Sequence, residues 1–154
     1  MAKINSCRKG KANERRAAKF LSSLLSIEGV RRGQQHAGGP ESPDVVGVPG
    51  VHVEVKADRS IGLGTRALWD ACQQSRTDSA EREAPCVLWW EHRKGWRLSW
   101  LFLVPDTSGH DNKGAIVVTV AGNDDIKKVL SDWIGFHKLL EQGVVADEAV
   151  EPWS

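Results

Sequence analysis

The sequence predicts an α/β fold: one mixed central β-sheet flanked by α-helices, in a single domain spanning 1–154. Three observations carry this. Apolar residues recur at three- and four-residue steps in the first, a middle and a late segment, which is the helical period. Between them lie short runs rich in Val and Trp with alternating or continuous apolar character, which is the strand signature. The order is helix, hairpin, helix, strands, helix, and such interleaving buries both faces of a sheet. Hydrophobic content of 40% against 27% charged residues is that of a folded chain of 154 residues.

Residues 1–10 read as a flexible basic lead-in ending at Gly10. From Lys11 to Ile27, Ala17, Phe20, Leu21, Leu24 and Leu25 form one stripe, and Gly29 closes the helix. Glu14 stands at the stripe's edge. Taken alone it reads as a solvent-exposed helix acid among Lys11, Arg15 and Arg16. Turned inward, it needs a metal, an arginine or a water. Val30 to Ser42, rich in Gly, Arg and Gln, reads as a loop whose Arg31 and Arg32 can grip phosphates.

The chemistry concentrates in the next stretch. Asp44–Val48 and Val51–Ala57 read as a hairpin turning at Pro49-Gly50. Residues two apart in a strand share a face, so Glu54 and Lys56 project together while Val53 and Val55 enter the core. The turn brings Asp44 near Glu54. Two carboxylates at one place repel, and a hard dication with oxygen ligands relieves them. A lysine beside such a pair is equipment for phosphodiester hydrolysis.

Ile61-Gly62-Leu63-Gly64-Thr65-Arg66-Ala67 matches a dinucleotide-binding turn by spacing, but no βαβ pattern follows it, so no small-molecule cofactor is read from it. Thr65 instead caps a second helix reaching to about Ala80, with Leu68, Ala71, Cys72 and Ser75 on one side. Gln73 or Gln74 can reach from it towards Glu54 and Lys56; alternatively both face solvent. Cys86 to His92 reads as a central strand, Trp96 to Val104 as its return, and Ala115 to Ala121 as a Val-rich strand. A third helix starts at Asn123-Asp124-Asp125, acids that suit its positive end. Its stripe is Ile126, Val129, Leu130, Trp133, Ile134, His137 and Leu140, with His137 a packing residue rather than a ligand. The acidic residues from Gly143 on read as loosely held.

The net charge is only +1 but uneven. Residues 1–39 carry nine basic side chains against Glu14 and Glu28, while residues 121–154 carry three against seven acids. A basic face for a polyanion follows, or a merely solvated one. Cys7, Cys72 and Cys86 are odd in number and widely spaced, giving neither a disulfide framework nor a zinc knuckle. That suits a reducing cytosol. No signal peptide or membrane span is read.

Glu14, Pro43-Asp44 and Glu54-Val55-Lys56, in this order, resemble the PD-(D/E)XK nuclease superfamily. Arg8 to Arg16, the hairpin Pro43 to Lys56, Gln74-Ser75-Arg76-Thr77-Asp78-Ser79 and Pro85 to Leu98 are similar to Holliday-junction resolvases of the archaeal and phage type. The likeness covers residues 8–104. Ser75 and Ser79 depart from it, standing where phage members carry alanines. The resemblance implies a Mg²⁺-dependent endonuclease, with Mn²⁺ able to substitute, that binds a four-way DNA junction as a homodimer and nicks opposed strands. It implies Asp44, Glu54, the Val55 carbonyl and Glu14 as metal ligands. Lys56 would act on the attacking water or the transition-state charge, with Gln74 in support. Arg31 or Arg32 would grip the phosphate near the scissile bond. Arg8, Lys9, Lys11, Arg15 and Gln34 complete the expected DNA contacts. A cytoplasmic setting, in a prokaryotic or phage-infected cell, goes with it.

Overall fold

A computed structural model describes residues 2–33, 43–104, 114–145 and 151–153, with side chains from residue 8 onward. Gln34 and residues 105–113 lie outside the described residues. The elements run α1 (Ala2–Leu25), β1 (Arg31–Arg32), β2 (Val45–Val46), β3 (Val51–Lys56), α2 (Arg66–Asp78), β4 (Ala84–Glu91), β5 (Gly95–Val104), β6 (Gly114–Ala121) and α3 (Asn123–Glu141). The strands form one sheet in the order β1-β2-β3-β4-β5-β6. The β3–β4 pair is parallel and the other described pairs are antiparallel. The fold is therefore the expected α/β arrangement with a mixed sheet.

Both faces of the sheet are covered. Ala17, Ala18 and Leu21 of α1, with Ile126, Leu130, Trp133 and Ile134 of α3, pack on Val53, Val55, Cys86, Leu88, Leu98 and Trp100. On the opposite face Leu68, Ala71 and Cys72 of α2 pack on Val87, Trp89 and Leu101. Since alternate residues of β4 feed both clusters, the strand must be apolar throughout, and Cys86 to Trp89 are fully buried. Trp89 and Ser99 are polar exceptions that satisfy each other. The Trp89 indole N–H donates to Ser99 Oγ at 2.8 Å, and Ser99 Oγ lies 2.7 Å from Thr119 Oγ1.

Thr65 caps α2 as its type predicts: its Oγ1 accepts from the Leu68 N–H at 3.2 Å. Several boundaries differ from the sequence reading: Arg31–Arg32, read as loop, forms β1, and the first strand of the hairpin shortens to Val45–Val46. The helix begins at Ala2, not Lys11, so residues 2–10 are no separate lead-in. Extending a formed helix needs no new nucleus and gains one bond per residue fixed, and Gly10 alone does not stop it. The helix ends at Leu25, where Ser26 turns left-handed at φ 52°, short of Gly29. At the other terminus Trp153 is buried, edge-on to Trp133 and Phe136 at centroid distances of 6.4 and 5.6 Å. An aromatic anchor thus ties down the end of the acidic tail. His137 packs against the β2–β3 turn, where Gly50 leaves room for its ring, and pairs with Glu141 at 3.1 Å. Among the described residues, no helix is long and apolar enough to cross a membrane.

Candidate active site

Alternation along Val51-His52-Val53-Glu54-Val55-Lys56 divides β3 between two environments. Val51, Val53 and Val55 are buried in the core; His52, Glu54 and Lys56 share the other face, their burial falling from complete at His52 to exposed at Lys56. Val45 of β2 stands opposite Val53, and the Asp44 N–H donates to the Val53 carbonyl at 3.0 Å. This register sets Asp44 beside Glu54, near enough for the Glu54 charge to act on the Asp44 carboxyl.

The proximity has an electrostatic cost. Burial first, and the Glu54 charge second, push the Asp44 carboxyl up from 3.8 to about 7. A hydrogen bond from the Val55 N–H to Asp44 Oδ2, at 2.8 Å, works the other way and is outweighed. Glu14 adds a further, weaker push. The pair thus holds a proton near neutrality in the absence of a cation. Two such carboxylates could serve as oxygen ligands of a hard divalent ion, and their donor chemistry fits Mg²⁺ or Mn²⁺. Among the described residues, no group of three or more His, Cys, Asp or Glu side chains forms a ready cage. An ion here would draw its remaining oxygens from backbone, water or substrate, as Mg²⁺ commonly does.

The other expected residues divide. Glu14 lies inward of α1, close enough to be felt by Asp44, and its Oε2 accepts from Arg32 Nε. Of the partners open to an inward glutamate, the structure supplies an arginine. Arg32 is thereby drawn from the phosphate-gripping role expected of it into a half-buried ion pair. Arg31, one position before, is exposed. Val55 enters the site through its N–H, a contribution distinct from the carbonyl expected of it. Gln74 is exposed, and its amide donates to Asp78 at 2.6 Å instead of reaching Lys56. Gln73 is exposed as well. The residue that α2 turns to the strands is Ser75, whose Oγ donates to the Cys86 carbonyl at 3.0 Å.

One member of the constellation was not singled out from sequence. His52 is 1% exposed, and its Nε2 lies 3.0 Å from Glu54 Oε1. The period-two spacing of His52, Glu54 and Lys56 is the signal that marks it.

The exposed side of α1 is basic. Arg8, Lys11, Arg15 and Lys19 follow each other at helical spacing along α1, and all are exposed, as is Lys9. Arg15, Lys19, Arg31 and Arg32 line a groove of about 390 Å³ between α1 and β1. A cleft of about 650 Å³ opens just beyond Lys56, lined by Asp58, Arg59, Trp90, Glu91, His92 and Arg93 among others. A more apolar cleft, between Leu63–Trp69 and Ile116–Thr119, lies at the β6 edge and holds none of the expected site residues.

No protein-family model, no curated protein and no solved structure matches the chain.

Proposed function

We propose that the chain is a metal-dependent endodeoxyribonuclease, acting on branched DNA and cutting four-way junctions by paired nicks as a homodimer in the cytoplasm. The observation that carries the nuclease reading is the placement of the Asp44 and Glu54 carboxyl groups side by side on adjoining strands, with Lys56 on the Glu54 face. The choice of a four-way junction rests on the resemblance of residues 8–104 to resolvases.

Asp44 and Glu54 would hold Mg²⁺ through carboxylate oxygens. Bound there, the ion would supply Lewis acidity, lowering the pKa of water and offsetting phosphate charge. The chain's own groups do the rest. The Val55 N–H fixes Asp44 Oδ2, so the Asp44 carboxyl keeps one orientation. The exposed Lys56 ammonium, two residues from Glu54, meets the negative charge that builds on a phosphate under attack. Arg32 keeps Glu14 inward, next to the pair. The basic ridge of α1 and the groove beside it take the DNA backbone, which fixes register without reading sequence. Selection of a junction would come from the spacing of two such sites in a dimer and from DNA shape.

The test is cleavage of labelled four-way junction, flap and plain duplex, each with Mg²⁺ and with EDTA. Symmetrical nicks confined to the junction and dependent on Mg²⁺ are the expected result. Equal cutting of flap or duplex would reassign the chain to another branch, repair or restriction nuclease. Metal-independent cutting, or junction binding without cutting, would overturn the catalytic reading.

A further inference from the structure

We propose that His52 is the positioning residue for Glu54: its Nε2–H donates to Oε1 and holds the carboxylate against Asp44. This rests on the reading of Asp44 and Glu54 as a cation-binding pair. Two like charges in a poorly hydrated place repel, and a glutamate side chain has the rotamer freedom to swing away. Something must tether each. Asp44 is tethered by the Val55 N–H at 2.8 Å. Glu54 has the matching device in His52, 3.0 Å from Oε1. An ionised carboxylate only accepts hydrogen bonds, so a neutral imidazole in this contact must carry its proton on Nε2.

The imidazole is itself immobilised. It is 1% exposed, beneath α2, in a strand whose alternate residues are locked in the core. Ser75 of α2 bonds the Cys86 carbonyl at 3.0 Å, and β4 is paired in register with β3, Val53 opposite Cys86. The helix therefore grips the neighbouring strand one residue from His52. A buried ring fixed in this way, spending its donor on a ligand carboxylate, has the form of an outer-shell partner. Losing such a partner weakens metal binding by about 10- to 100-fold.

The experiment is a Mn²⁺ titration of the full chain, followed by the electron paramagnetic resonance of free Mn²⁺. Wild type, His52→Phe, His52→Gln and Glu54→Gln are compared, with circular dichroism to establish folding. His52→Phe is expected to bind Mn²⁺ about 10- to 100-fold more weakly. His52→Gln, which can offer an amide N–H to Oε1, is expected to recover most of that loss. A folded His52→Phe chain with wild-type Mn²⁺ affinity overturns the proposal. If His52→Phe does not fold, the wild-type ring decides: nitrogen NMR of labelled histidine must find Nε2 protonated, and a ring protonated only on Nδ1 overturns the role. A wild-type chain that takes up no Mn²⁺ fails the site reading itself, and the positioning role with it.

Discussion

Replacing Asp44 by Asn probes the carboxylate pair through stability alone, without DNA. The Asp44 carboxyl is raised from 3.8 to about 7. That rise is roughly three pH units, and at ~1.36 kcal/mol per unit it sets about 4 kcal/mol against the ionised form in the folded chain. Solvent reaching the half-buried site lowers the figure to ~1–3 kcal/mol. The sign follows from proton linkage. The folded chain holds this proton more tightly than the unfolded one, so Asp44 penalises folding progressively as pH rises from about 4 to about 7, and fully above that. Asparagine is neutral throughout. Its Oδ1 can still accept from the Val55 N–H, and its amide can donate to Glu54.

In EDTA at about pH 8, Asp44→Asn should therefore be more stable than wild type by ~1–3 kcal/mol, and the gap should close towards about pH 4. Saturating Mg²⁺ should close the gap or reverse the order. Wild type gains by mass action, about 2.7 kcal/mol at a hundredfold excess over the dissociation constant, and the variant gains little. Urea unfolding followed by tryptophan fluorescence at both pH values, with EDTA and with Mg²⁺, reads all four conditions. An Asp44→Asn chain no more stable than wild type in EDTA at the higher pH would refute the claim that the pair stores repulsion. Equal Mg²⁺ stabilisation of both chains would refute the claim that a cation relieves it.

Glu54→Gln should abolish Mg²⁺-dependent nicking of a junction while gel-shift binding survives; nicking that persists in both this variant and Asp44→Asn dismisses the site. Arg31→Ala should weaken DNA binding evenly across sequences and reduce the slope of log affinity against log salt by about 0.9. An unchanged slope removes the groove between α1 and β1 from the interface. Ser99→Ala leaves the buried Trp89 N–H without its acceptor, so the urea midpoint should fall by an amount worth about 1–3 kcal/mol. A loss below ~0.5 kcal/mol would show the Trp89–Ser99–Thr119 chain to be dispensable.

Much of this architecture is local, and that part is legible in the chain. The β3 alternation, the unbroken apolar run of β4, the Thr65 cap and the α3 stripe each declare themselves within a few residues. What escapes depends on remote partners. Arg31-Arg32 has no strand pattern; it becomes β1 only because β2 lies opposite, Arg31 against Val46. Arg32 reads as a phosphate ligand until α1 brings Glu14 to it. On α2 the inward side is legible, since Ser75 falls with Leu68, Ala71 and Cys72; that its neighbour Gln74 turns to Asp78 and not to the strands is not. Trp153 looks like part of an acidic tail until Trp133 and Phe136 receive it.

The brevity of β2 explains why a site forms on β3 at all. Had β2 run on in register from Val45 opposite Val53, its main chain would have occupied the flank of β3 beside Val55. Instead Gly33 takes the chain close past Pro43: a Cβ on Gly33 would sit 2.2 Å from the Pro43 carbonyl oxygen. The Gly33 N–H donates to the Asp44 carbonyl at 2.8 Å, drawing this end of β2 towards β1. The Val55 N–H is left facing outward, and a buried donor must be satisfied. The Asp44 side chain supplies the acceptor that a longer strand would have supplied from its backbone. The same substitution carries a carboxylate into the sheet edge, next to Glu54, where it gathers the repulsion that a cation would discharge. A register change restoring a backbone acceptor to Val55 would release Asp44 and dissolve the pair, even with every site residue retained.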